Sequence, residues 1–115
     1  MAVVIYHNPR CTKSRETMKL LEDKGIKPQV IEYLKTPPSA AELKELVAKL
    51  GISPRQLLRK GEAPYKDLKL ANEKISDAAI IKAMADNPIL IERPIVVNGK
   101  KAALGRPPEA VLGIL

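Results

Sequence analysis

Val3-Val4-Ile5-Tyr6-His7-Asn8-Pro9-Arg10-Cys11-Thr12-Lys13-Ser14-Arg15 decides how this chain is read. Residues 2–6 suit a strand buried on both faces, because they are apolar and largely β-branched with no polar alternation. Asn8-Pro9 breaks the strand and turns the chain. Cys11, the single cysteine, then stands where a helix over 12–24 begins. Unpaired N–H groups and the helix dipole favour negative charge at such a start. Cysteines in such settings are commonly acidified to about 3.5–7.5, so a nucleophilic thiolate is expected at Cys11. The bland reading, a buried structural cysteine, fits a basic turn poorly.

Outward from that stretch, the helix ends at Gly25 and a second strand follows over 29–34. A strand–helix–strand unit implies parallel pairing with a right-handed crossover. Ser39-Ala40-Ala41-Glu42 is a capping box for a helix to Leu50. Ser53-Pro54 predicts a short helix over 53–60. Residues 61–75 are polar and irregular, with one helical turn near 65–70. Ser76 caps a helix to Asp86, which Asn87-Pro88 ends. A third strand is expected within 89–98, and Asn98-Gly99 marks a hairpin into a fourth over 100–104. A last helix is expected over 109–115. The order β-α-β, helices, β-β-α describes an α/β fold: a four-stranded mixed sheet with helices on both sides. A helix-start cysteine plus an X-Pro before a later strand is the thioredoxin-like, or glutaredoxin-like, arrangement. Arg93-Pro94 is then the expected cis-proline position.

The 115 residues suit one domain, 1–115. Its core must be aliphatic, since there is no Trp or Phe and only three Tyr. One cysteine excludes an internal disulfide and argues against a zinc or iron–sulfur site, so no metal and no bound cofactor are expected. No leader-like segment is seen and no apolar run approaches the roughly 18 residues of a membrane helix, which fits a soluble cytoplasmic monomer. The net charge of +7 raises nucleic-acid binding as an option. Stacking aromatics are missing, however, and lysines are scattered, which argues against it.

Cys11-x-x-Ser14 lacks a second thiol, so an external thiol must release anything bound to Cys11. Ser14, one helical turn on, can face the sulfur and donate a hydrogen bond. His7 is either a base or a hydrogen-bonding residue that orients the turn. Arginine grips tetrahedral oxyanions with a planar fork, and only six of the 20 basic residues are Arg. Arg59, Arg93 and Arg106 each sit at an element boundary. A phosphatase-type loop needs Arg six positions after the cysteine; position 17 is Thr. Any anion cradle must therefore draw on distant arginines.

His7 to Arg15, Leu57-Leu58-Arg59-Lys60, Glu92-Arg93-Pro94-Ile95-Val96-Val97 and Gly105-Arg106-Pro107 together resemble the glutaredoxin-linked, glutathione-dependent arsenate reductases. The resemblance runs from Val3 to the C-terminus and is closest to a short chromosomal member. It implies a thioredoxin-like fold with a helical insertion. It also implies Cys11 as nucleophile, His7 and Ser14 tuning it, Arg59, Arg93 and Arg106 binding arsenate, and a cis Pro94. Glutathione would be co-substrate and glutaredoxin the partner that clears the enzyme. The chain departs from the best-known members in having Thr12-Lys13 in place of Gly-Thr. Gly105 stands where some members have a second cysteine, and a C-terminal extension is missing. Two alternatives belong beside this reading. One is a glutathione-dependent reductase of another substrate. The other is a transcriptional regulator binding RNA polymerase, a class that senses through Cys-x-x-Cys, against which Ser14 argues.

Overall fold

A computed structural model describes residues 3–115; the expected start of the first strand at Ala2 lies outside the described residues. The chain folds as two compact units. The first takes the chain up to Thr36 and again from Arg93 to Leu115, and the second is Pro37–Glu92.

In the first unit, β1 (Val3–His7), β2 (Gln29–Glu32), β3 (Ile95–Asn98) and β4 (Lys101–Leu104) form one sheet in the order β2-β1-β3-β4. β1 pairs parallel with β2 and antiparallel with β3, and β3 pairs antiparallel with β4. β1 is thus a central strand, as its unbroken apolar run predicts. Strand alternation puts Ile5 and its cross-strand neighbour Val96 on one face. Both are fully buried and cluster with Leu21 of α1 (Thr12–Asp23) and Val111 of the C-terminal 3-10 turn (Pro108–Ile114). This is the thioredoxin-like fold.

Three expectations shift within this unit. β2 stops at Glu32, because the N–H groups of Lys35 and Thr36 both donate to the Glu32 carbonyl and turn the chain. The hairpin loop is Gly99-Lys100 rather than Asn98-Gly99, with Asn98 paired to Lys101. Gly99 takes φ +63°, the sign a type II′ turn requires at its first loop position. The expected last helix is a 3-10 turn, closed by Asn98 Nδ2 donating to the Ile114 carbonyl at 2.7 Å.

The second unit holds α2 (Ala40–Leu50), α3 (Ala63–Asp67) and α4 (Asp77–Asp86), with short 3-10 turns at Pro54–Leu57 and Pro88–Leu90. The capping box on α2 forms as read: Ser39 Oγ accepts from the Glu42 N–H at 3.1 Å, and Glu42 answers at 3.2 Å. Ser53 and Ser76 also cap as expected. The helix expected over 53–60 is only the 3-10 turn, because Leu58 extends to bridge Ile91. The third strand, expected from 89, begins at Ile95; Ile89 lies in the second 3-10 turn, between two prolines that cannot donate to a ladder. Arg55 closes the irregular segment by donating to the carbonyls of Leu70, Asn72 and Ile75.

Candidate active site

The turn between β1 and α1 is built from its own polar groups. The Cys11 N–H donates to the Asn8 carbonyl at 2.9 Å, and the Arg10 N–H to Asn8 Oδ1 at 3.0 Å. Arg15 reaches back from the helix, donating through Nη1 to the Pro9 carbonyl at 2.9 Å and through Nη2 to Thr12 Oγ1 at 3.4 Å. These bonds set Cys11 as the N-cap of α1, with extended backbone (φ −93°, ψ 124°) and its carbonyl accepting from the Arg15 N–H. No acidic residue lies in the first helical turn, so the dipole's positive end is not offset there. Cys11 is buried, at 8 % exposure.

What faces the sulfur is Arg106, whose Nη2 lies 3.7 Å from Cys11 Sγ. Its position is fixed from behind. Arg106 Nε donates to the Arg93 carbonyl at 2.8 Å, and the Gly105 N–H donates to the Pro94 carbonyl at 2.9 Å. Arg93-Pro94 is cis, as expected, and Arg106-Pro107 is cis as well, which was not. The end of β4 thus lies along the proline loop. A Cβ at position 105 would fall 2.5 Å from Thr17 Oγ1 and 2.7 Å from Pro94 Cγ. Glycine permits this close approach, and the position is packed against carrying a second thiol. Thr17 was not anticipated as a site-facing residue. It is fully buried on α1 and satisfies its hydroxyl on the Lys13 carbonyl at 2.8 Å.

Ser14 corrects an expectation. It is fully buried, and its hydroxyl bonds His7 Nδ1 and accepts the Asn8 N–H at 3.0 Å, so it is engaged there rather than on the sulfur. Burial lowers the His7 pKa below its ordinary 6.5, Glu32 opposes this, and Arg15 adds to it. The ring is therefore neutral at pH 7. With Ser14 Oγ already accepting from Asn8, its proton is best used toward His7 Nδ1, which assigns the ring proton to Nε2. His7 and Ser14 hold the turn that holds the cysteine.

The structure brings Cys11, Arg93, Pro94 and Arg106 together in the first unit, with His7 and Ser14 behind the turn. Arg59 belongs to the second unit. Its N–H donates to the Leu90 carbonyl, and its guanidinium meets Glu92 Oε1 at 3.0 Å and Glu62 Oε1 at 3.4 Å. Among the described residues no cluster of three or more His, Cys, Asp or Glu could hold a metal ion, and no helix is long and apolar enough to cross a membrane.

The sequence model of the ArsC family matches residues 6–114. The chain is 53% identical over 116 residues to an arsenate reductase of Haemophilus influenzae, covering all of both chains. It is 55% identical to the uncharacterized protein YfgD of Escherichia coli K12, covering 98% of this chain and 96% of that one. Among solved structures, an arsenate reductase from Vibrio cholerae superposes with a TM-score of 0.97 at 57% identity, covering 100% of this chain and 98% of the other.

Proposed function

Since the chain belongs to the ArsC family, we propose that it reduces arsenate to arsenite, with Cys11 as nucleophile and glutathione and glutaredoxin as reductants. The observation that carries the reading is the Arg106 guanidinium 3.7 Å from Cys11 Sγ. One cation there stabilises the thiolate before reaction and the oxyanion during it. Arg93 flanks the same loop, and the site has no second thiol.

The chemistry follows from that inventory. Cys11 sulfur attacks arsenic, an S–As bond forms, and one oxygen departs as water. Glutathione's sulfur then forms a disulfide with Cys11 as the S–As bond breaks, and the glutathione thiol proton passes to an arsenic-bound oxygen. Each sulfur loses one electron, arsenic(V) gains two, and arsenite leaves. A glutaredoxin thiol exchanges with the mixed disulfide and frees Cys11. A share for Arg59 in oxyanion binding rests on the family resemblance, and the arsenate KM of Arg59→Ala measures it.

The test is steady-state arsenate turnover with glutathione and glutaredoxin. Wild type should turn over and Cys11→Ser should not. Equal rates for the two would remove the reading.

A further inference from the structure

The turn that carries the thiol also walls a cavity of about 260 Å³, closed on its other side by the end of β2. Its lining is His7, Asn8, Pro9, Arg10, Glu32 and Lys35, with Leu34 as the apolar member. His7 and Glu32 are register partners across β1 and β2, so the parallel ladder itself brings the two walls together. The charges are two cations, Arg10 and Lys35, and one carboxylate, Glu32, which lies 3.7 Å from Lys35. His7 is neutral, and Arg15, the remaining cation of the turn, is spent on Pro9 and Thr12. The cavity therefore has one net positive charge, arranged as two positive groups and one negative.

We propose that this cavity recognises the peptide part of the thiol that releases Cys11: Arg10 and Lys35 take carboxylates and Glu32 takes an ammonium. The inference rests on the reading that an external thiol discharges Cys11, and it adds where that thiol is held. Glutathione matches the pattern, with two carboxylates and one ammonium around a central sulfur. Arg10 directly precedes Cys11, so a peptide whose sulfur reaches Cys11 has its ends within a residue or two of the cavity wall. A neutral thiol would gain nothing from these groups.

The step can be isolated from arsenate. Cys11 is converted to its mixed disulfide with 5-thio-2-nitrobenzoate, and an incoming thiolate then attacks that disulfide. A new S–S bond forms, the coloured thiolate leaves, and no external oxidant is involved. Rates are compared for glutathione and glutathione diethyl ester, each divided by the same thiol's rate with the free aromatic disulfide. Wild type should prefer glutathione, less so as salt rises. In the Arg10→Gln/Lys35→Gln double variant that preference should fall about fivefold, the scale of two screened charge contacts. Both thiols carry the ammonium, so Glu32→Gln should slow both, each relative to its rate with the free aromatic disulfide, instead of removing the preference. Arg10 and Lys35 are exposed, and an unchanged thermal melt verifies the fold. If wild type shows no preference, or the double variant keeps it in full, the proposal is wrong. Because arsenate takes no part, failure here leaves the reductase reading standing, and failure of arsenate turnover leaves this assay interpretable.

Discussion

Cys11 and Arg106 are 95 positions apart, and their contact is what one residue can do to another across this fold. A charge-assisted bond of this kind contributes about 1.5–3 kcal/mol. Arg106→Ala is expected to lower kcat/KM for arsenate by about 10- to 100-fold. It should also slow iodoacetamide alkylation of Cys11 at pH 7, a readout that needs no substrate. Arg106→Lys retains the charge but loses the fork that spans the sulfur and the Arg93 carbonyl, so it should recover only part of either rate. Alkylation rates equal to wild type in both variants would separate Arg106 from the thiol. Ser14 acts differently. Ser14→Ala leaves the Asn8 N–H and His7 without their shared partner in a buried place, at about 1–3 kcal/mol by urea unfolding. His7 gives this stability a pH dependence. Its folded pKa is depressed, chiefly by burial, so the unfolded chain takes up the proton first. Stability is full above about 6.5 and falls as pH drops from there toward the lower folded value. His7→Gln should flatten that part of the profile between pH 7 and 5; an unchanged slope would place its origin elsewhere.

Elements were legible where a local signal decides them. Ser39 with Glu42, Ser53 with Pro54, and Ser76 each announce a helix start, and each caps one. Ser39→Ala should therefore cost about 1 kcal/mol, read as a lower urea midpoint with unchanged slope. Elements were misjudged where a distant partner decides. Ile89 to Ile91 looks like strand by composition, yet it forms a 3-10 turn and one bridge because Leu58 lies opposite. The hairpin slipped by one residue because cross-strand pairing, not the Asn-Gly dipeptide, fixes its register. On α1 the buried stripe is Ser14, Thr17 and Leu21, and a hydropathy reading passes over a threonine that hydrogen-bonds its own helix. The site divides the same way. The turn around Cys11 is contiguous and could be read directly. Arg106 stands at Cys11 only because β4 returns beside β3 and ends against Pro94, and in the sequence that was visible only through family resemblance.

At the scale of the molecule, a chain of net charge +7 attracts anions with or without a site, so anion stabilisation alone says little. Arsenate at high concentration also strengthens burial in any protein through exclusion from its surface, as sulfate and phosphate do. The two effects differ in dose and in dependence on one residue. A ligand that binds only the folded state at ten times its Kd adds about 1.4 kcal/mol. For a chain of this length that raises Tm by about 5 °C. The rise should saturate at low arsenate concentrations, remain in Cys11→Ser, and persist against chloride matched in ionic strength. Arg106→Ala should lose it while keeping the slow, unsaturated rise that surface exclusion produces at high concentration. If wild type and Arg106→Ala rise together over the whole range, the anion is responding to the overall charge, and the guanidinium beside Cys11 is not what holds it.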